Sequence, residues 1–150
     1  MYRPDPRQPR CRFANLTGVS LGFGKRSFAS SEQNDTMENY VSRGNDGLPT
    51  TRWTAASGDS GEWWAVDLGA VYDLTGYRVV FEKAADYRYR VEVSDNGSDW
   101  TVAADRSTSS GTAQTREESL DASGRYVRIT YTGLPAGAWA SHYEFEVFGS

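Results

Sequence analysis

The chain has 150 residues, a net charge of −4 and a sequence pI near 5.0. That length suits one domain with a single core, and the acidic balance argues against sequence-independent binding to nucleic acid or anionic lipid, which depends on clustered Lys and Arg. No apolar run approaches the length that crosses a bilayer, and the single cysteine, Cys11, cannot form an internal disulfide.

The first residues carry Pro4, Pro6 and Pro9 and lack the apolar stretch of a signal peptide. Composition rich in Pro and Arg is typical of a linker or tail. We therefore predict a flexible leader or linker at residues 1–12 and a folded domain at residues 13–150.

The segment from Gly44 to Trp53 is rich in Gly, Pro and Asp, so it does not suit regular structure, yet it ends in an aromatic side chain that favours burial. This combination predicts an ordered loop. A carboxylate and Thr hydroxyl groups lie close together in it, and Ca²⁺ takes six to eight oxygen ligands. The loop therefore predicts a calcium site, and residues 62–69 predict a strand that leaves it.

Alternation of polar and apolar residues dominates the rest of the chain. Residues 87–93 place their apolar groups at odd positions, as a half-buried strand requires. Asn96 and Gly97 follow, a pair that favours a hairpin turn in which both central residues adopt φ > 0. Short strands separated by turn residues predict a β-sandwich or jelly roll. Further strands are predicted at 63–68, 75–82, 100–102, 113–119, 125–132 and 143–148.

Six groups of residues stand out along the chain: 27–31, Asn45-Asp46-Gly47 with Thr51-Arg52-Trp53, 63–69, 89–94 with Asn96-Gly97 and Trp100-Thr101, 125–129 and 144–149. In this order they resemble the discoidin, or coagulation-factor 5/8 type C, superfamily, and most of all the bacterial carbohydrate-binding modules of family 32. The resemblance covers roughly residues 14–149 and implies an all-β, galactose-binding-domain-like fold, an eight-stranded jelly-roll β-sandwich with a structural Ca²⁺ at one end.

The resemblance also implies a ligand set for the calcium ion. It consists of the Asp46 side chain, the main chain and hydroxyl of Thr51, the Glu144 carboxylate, and the main-chain carbonyls of Arg43 and Leu48. This set agrees with the calcium site predicted from the loop itself. The alternative is that Asp46 only caps an Asx-turn and Glu144 is solvated.

The sugar-binding positions of the family are only partly kept. Galactose-binding members use a His after the Thr-x-Trp segment, an Arg and an Asn in the loop after the central strand, and an aromatic before the last strand. Here Thr54 stands at the His position, and residues 81–86 contain neither Arg nor Asn. Trp139 keeps the aromatic. This departure argues against simple galactose recognition and favours another sugar, and acidic Glu82 would suit a cationic amino sugar.

Trp139 is the leading candidate for sugar contact, because small residues surround it and a flat indole stacks on the apolar face of a pyranose. The alternative is that it plugs the core. Glu82 and Lys83 place an acceptor and a donor side by side for sugar hydroxyls, or else form a solvated ion pair. Glu38 lies near a position where a family carboxylate can contact ligand.

Other conspicuous side chains receive structural interpretations. Arg52 is expected to make hydrogen bonds beneath the loop. The only histidine, His142, has no Ser or Cys nucleophile elbow beside it, so it is expected to be a surface or strand-end residue.

The resemblance implies a non-catalytic carbohydrate-binding module that targets the catalytic domain of a larger secreted bacterial glycan-active enzyme to polysaccharide or glycan. An adhesion module of the discoidin type, which binds protein or phospholipid, is the alternative. The candidate loop tips at 56–61 and 106–112 are rich in Ser, Gly and Asp, which argues against membrane insertion. Catalysis is not expected, because a shallow site gives no water-excluding cleft to raise a carboxyl pKa.

Overall fold

The computed structural model describes residues 19–33, 40–108 and 111–150. The predicted leader at 1–12 and Glu38 therefore lie outside the described residues. The described part contains one short 3₁₀ helix, Val41–Asn45, and seven strands. The strands are β1 Ser27–Ala29, β2 Trp53–Thr54, β3 Trp63–Phe81, β4 Arg88–Ser94, β5 Thr101–Arg106, β6 Thr115–Gly133 and β7 Ser141–Gly149.

Two long strands, β3 and β6, connect the two layers of the fold. The first half of β3 pairs with β1 and with the second half of β6, which continues to β4 and β5. The second half of β3 pairs with β7 and with the first half of β6, and β7 also pairs with β2. All these pairings are antiparallel. The predicted all-β fold is confirmed.

The described residues form seven strands, against the eight of the predicted jelly roll. The predicted strands 63–68 and 75–82 join as β3, and those at 113–119 and 125–132 join as β6; each joined strand has 19 residues. Gly69 was expected to end a strand. Instead it adopts a φ of 87° inside β3, where the β6 register shifts between Asp67 and Tyr72. A glycine bulge bends one strand instead of separating two.

Aromatic rings from both layers form the core. Trp64 of the first half of β3 lies 5.9 Å from Phe145 of β7, centroid to centroid. Tyr77 of the second half meets Tyr89 of β4 edge to face at 6.2 Å. Edge-to-face and tilted pairs of this kind add to the burial of large apolar area. An aromatic-rich chain with modest apolar content can therefore close a sandwich.

His142 lies at the start of β7, so the expected strand-end position is correct, but it is a core residue and the alternative of a surface position is wrong. It is 0% exposed. Its ring meets Trp64 edge to face at 4.9 Å, and its Nδ1 lies 2.9 Å from the Tyr131 hydroxyl. Burial disfavours the charged imidazolium and lowers the His142 pKa to about 3. His142 is therefore neutral at pH 7 and has no access to a ligand.

The hairpin predicted at Asn96-Gly97 joins β4 to β5, but its turn is wider than a two-residue turn. The last paired residues are Val93 and Thr101. Gly97 has a φ of 79°, whereas no non-glycine residue of the described ranges has positive φ, so Asn96 differs from the prediction. The Asn96 side chain instead accepts hydrogen bonds from the Ser98 and Asp99 amides at 2.8 and 2.9 Å. An Asx-type turn has replaced the tight turn.

Gly44 offers the first stability prediction. A Cβ at this position would lie 2.7 Å from His142 Nε2 and 2.8 Å from Trp64 Nε1, and both rings are fully buried. Neither ring can move away cheaply. We therefore expect Gly44→Ala to lower the free energy of unfolding by about 1–3 kcal/mol, as overpacking of a core does. Urea unfolding measures it, with Ser42→Ala at an exposed position of the same 3₁₀ helix as control. Equal stability of both variants would contradict the packing argument.

No helix in the described ranges has the length and apolar character needed to cross a membrane.

Candidate functional site

The loop after the 3₁₀ helix brings the predicted metal ligands together. Thr51 Oγ1 donates to Asp46 Oδ2 at 2.6 Å, and the Gly47 amide donates to Glu144 Oε1 at 2.7 Å. The Leu48 amide donates to Asp46 Oδ1 at 3.0 Å, which is the Asx-turn considered as an alternative. The Arg43 side chain lies 3.5 Å from Asp46 Oδ2. The loop thus gathers Asp46 and Thr51 beside Glu144 on β7.

The two carboxyl groups of this loop site, those of Asp46 and Glu144, are neighbours. Burial, together with the neighbouring Asp46, raises the pKa of Glu144 to about 8. Two carboxylates this close repel unless a proton or a cation lies between them. The arrangement is therefore a partly buried pair of carboxyl groups with the Thr51 hydroxyl beside it.

The donor set suits a hard cation. It offers two carboxylates and a hydroxyl, and oxygen ligands of this kind are those that Ca²⁺ prefers. The described residues contain no cluster of three or more His, Cys, Asp or Glu side chains. Main-chain carbonyls, such as those predicted at Arg43 and Leu48, would therefore have to complete the shell.

A second polar group lies where β3 ends and β7 begins. Glu82 Oε1 accepts a hydrogen bond from Ser141 Oγ at 2.8 Å and lies 3.6 Å from Arg52 Nε. Both contacts use the same carboxylate oxygen. The side chains of Arg52 and Glu82 are 27% and 25% exposed, so solvent reaches both. We call Arg52, Glu82, Ser141 and Trp139 the rim site.

The rim site pairs charges differently from the prediction. Glu82 was considered together with Lys83, but its ion-pair partner in the structure is Arg52, and Lys83 is exposed beyond it. Arg52 was expected only to support the loop. Its Nε also donates to Thr54 Oγ1 at 3.2 Å, so it does both. The Thr-Arg-Trp sequence could have indicated this role of Arg52, because an Arg before a buried Trp must direct its charge towards solvent or a carboxylate.

Thr54 is buried, at 4% exposed, and pairs with Ser141 in the β2–β7 ladder. Its predicted role in contacting ligand therefore needs correction, because almost none of its surface is available. Its hydroxyl supports Arg52 from within the sheet. Tyr87 is also buried there, and burial raises its pKa to about 12, so it stays protonated beside Glu82.

Trp139 lies in the connection between β6 and β7, two residues before Ser141. It is 37% exposed, so the ring is not sealed in the core. Its Nε1 edge rests against Gly58 of the loop before β3. The flanking Ala138 and Ala140 are buried, which anchors the connection on both sides of the indole. The chain therefore links a partly exposed indole, through Ser141 two residues later, to the Glu82 carboxylate and its Arg52 partner.

The remaining tryptophans have mixed environments. Trp53 and Trp64 are fully buried. Trp63 and Trp100 are half-buried on the outer sheet face, where the Arg128 guanidinium lies 5.7 and 4.1 Å from their ring centroids. Arg128 also donates to Glu92 with two nitrogens, at 3.0 and 3.1 Å. The face of Trp100 is thus covered by a cation of the chain itself.

Comparison with known proteins places the chain in a family. The family model of the F5/F8 type C class described as the NedA-like, galactose-binding domain matches residues 43–129, more than half of the chain. Rat (Rattus norvegicus) lactadherin is 38% identical over 64 residues, which cover 38% of this chain and 14% of lactadherin. The chain thus corresponds to a small part of that relative's length.

Solved structures share the fold. Chitosan-binding module 1 of a chitosanase/glucanase from Paenibacillus sp. IK-5 is 27% identical with a TM-score of 0.79, over 88% of this chain and 100% of the module. CpGH89CBM32-4 from Clostridium perfringens, solved with GlcNAc-alpha-1,4-galactose, is 20% identical with a TM-score of 0.73, over 89% of this chain and 95% of that one. The domain is therefore like a carbohydrate-binding module in fold.

The superfamily predicted from the sequence is confirmed: the chain belongs to the F5/F8 type C family, in the group described as the NedA-like, galactose-binding domain.

Proposed function

We propose that this domain is a non-catalytic carbohydrate-binding module and that its rim site binds a cationic amino-sugar glycan, such as an oligomer of glucosamine. The observation that carries the proposal is the Glu82 carboxylate, which is held by Ser141 and Arg52 while remaining partly exposed. Ser141 follows the partly exposed Trp139 by two residues in the chain. Likeness to a chitosan-binding module supports the choice of sugar.

The chemistry of each group suits such a ligand. The Trp139 indole would stack on the axial C–H groups of a pyranose. Glu82 would accept from the sugar ammonium, a charge-assisted bond that is about twice as strong as a neutral one. Arg52 would donate to a hydroxyl of the same ring and hold the carboxylate in place. Lys83 would remain at the edge of the site.

The test compares glucosamine trimer with its N-acetylated form. Parent protein is expected to bind the charged trimer more tightly, and Glu82→Gln to weaken that binding about tenfold, because a hydrogen bond to a charged group contributes about 1.5–3 kcal/mol. Binding of the N-acetylated trimer should change little. Calorimetry at pH 6, where the amines are charged, measures both.

Glu117→Gln is the matched control, because it removes the same charge from an exposed carboxylate of β6. If Glu82→Gln and Glu117→Gln weaken binding equally, the effect is one of net charge and Glu82 does not read the ammonium. If the parent protein binds neither trimer, the proposed sugar class is wrong.

We also propose that Asp46, Thr51 and Glu144, with the carbonyls of Arg43 and Leu48, bind a structural calcium ion. The support is the contact between two carboxyl groups and a hydroxyl described above. Calcium would neutralise this charge and fix the loop. The ion would not touch the sugar.

In the same proposal, the domain serves a larger, secreted, glycan-active enzyme by holding the catalytic domain close to polysaccharide. The parallel is a chitosan-binding module that derives from a chitosanase/glucanase. A shallow site with one stacking ring suits micromolar to millimolar binding, and tethering makes such affinity useful. A glycan-array screen with the isolated domain measures the range of glycans that the domain binds.

Adhesion to protein or phospholipid is the second candidate function. One observation favours it, an apolar cleft of about 500 Å³ whose lining includes exposed Phe23 and Val19. Glu144 and Glu146 also line this cleft, which opposes anionic lipid. Sedimentation with neutral phosphatidylcholine vesicles, beside phosphatidylserine vesicles, tests adhesion to phospholipid, because carbohydrate binding does not expect the domain in either pellet.

A further inference from the structure

One carboxylate, that of Glu62, connects the segment after β1 to the loop that contains Gly58. Ser30 Oγ donates to Oε1 at 2.6 Å, and Ser31 Oγ and Ser57 Oγ donate to Oε2 at 2.8 and 3.2 Å. The same serines also hold main chain: Ser31 Oγ accepts from the Ala56 amide at 2.9 Å, and Ser30 Oγ accepts from the Trp63 amide at 2.8 Å. Residues 56–61 are thereby fixed to the strand edge at both ends.

This fixed loop supports the indole through Gly58. A Cβ at Gly58 would lie 3.0 Å from Trp139 Nε1 and 3.1 Å from its Cδ1. Gly58 is exposed, and it is not among the glycines with positive φ. An alanine there would therefore fit the backbone and disturb no core, and its methyl group would press only on the indole.

We propose that Gly58 and Glu62 are positioning residues for Trp139: the loop held by Glu62 presents a bare backbone at Gly58, against which the indole rests at the angle that ligand binding requires. The expected effect on sugar binding rests on the proposed function, since it assumes that Trp139 stacks on a sugar. The contact between Gly58 and the indole does not depend on that assumption. The orientation of the indole depends on the absence of a side chain at residue 58.

The first test needs no sugar. In a ¹H–¹⁵N spectrum of the whole chain, the Trp139 indole N–H peak is identified as the one absent from Trp139→Phe. Gly58→Ala is expected to shift that peak and to leave the other indole peaks in place. Glu62→Gln, which weakens the charged hydrogen bonds to the serines, is expected to move or broaden the same peak. Ser60→Ala, an exposed change in the same loop, should move none of them.

The second test measures affinity for glucosamine trimer by calorimetry. Gly58→Ala should weaken binding roughly threefold or more, because displacement of a contact group by a few tenths of an ångström already degrades a site. Gly58→Val should weaken it further, while the melting temperatures of both variants stay close to that of the parent. Ser60→Ala should bind as the parent does.

The outcomes separate this inference from the proposed function. If the parent does not bind the trimer, the proposed function fails, and the indole shift alone still decides the contact. An unmoved Trp139 peak in Gly58→Ala overturns the positioning role. A shifted peak with parental affinity overturns it as well, because the orientation of the indole would then not matter for binding.

Discussion

Trp139→Ala is expected to lower affinity for glucosamine oligomers by at least about tenfold, with folding intact, because a central aromatic anchor typically carries 2 kcal/mol or more of a small interface. The indole is the only large apolar side chain of the rim site. It is 37% exposed, so its removal leaves no buried cavity. Calorimetry for binding, with thermal unfolding for stability, makes the measurement.

Two further variants define what the result means. Trp139→Tyr retains a flat ring and should retain part of the affinity. Trp100→Phe changes a tryptophan on the outer sheet face, under the Arg128 guanidinium, and should bind as the parent does. Parental affinity in Trp139→Ala would move the sugar site away from the β6–β7 connection. Loss in both Trp139→Ala and Trp100→Phe would indicate a general effect on folding.

The class of fold could be predicted because alternation of apolar residues reports directly on a strand with one buried face. Val91 and Val93 face the core as the odd positions of residues 87–93 require. Alternation does not show whether two predicted strands form one continuous strand. Gly69 reads as the end of a strand, yet it lies inside β3, and β6 pairs with β3 on both sides of it, up to Asp67 and again from Tyr72. Only the pairing of the neighbouring strand shows whether a glycine lies at a bulge within one strand or at a break between two strands.

In the loop site, residues that are close together in sequence could be predicted from the sequence itself. Asp46 and Thr51 are close in sequence, and their side chains are joined by a hydrogen bond. Glu144 lies far away in sequence and was placed there only by resemblance to a family. The hydrogen bond from the Gly47 amide to Glu144 shows that β7 places this carboxyl group beside the loop.

The rim site was less predictable, because its charges are paired across strands. Neighbours in sequence suggested Glu82 with Lys83, whereas the β2–β7 pairing brings Arg52 to Glu82. The prediction of a surface position for His142 was wrong for a related reason. A histidine beside polar residues reads as exposed, yet it lies among the rings of Trp53, Trp64 and Tyr131. Polar sequence context does not reveal an aromatic cage built by other strands.

Calcium is expected to raise the melting temperature of the domain relative to excess EGTA. A ligand at 100 times its dissociation constant stabilises the folded state by about 2.7 kcal/mol, which for a domain of this size corresponds to roughly 5–10 °C. The physical reason is that Glu144 and Asp46 lie close together, and a divalent cation between them would favour the ionised form of both carboxyl groups. Differential scanning calorimetry with and without calcium measures the shift.

Glu144→Gln separates calcium binding from the fold that carries it. The amide oxygen can still accept the Gly47 hydrogen bond, and the change removes the unfavourable closeness of two carboxyl groups. We therefore expect the calcium-free variant to melt at or above the parent temperature, but to gain nothing from calcium. Asp121→Asn removes one exposed charge elsewhere and should keep the full calcium response. Equal calcium responses in Glu144→Gln and the parent would place the ion at another site, and no response in the parent would refute the calcium proposal.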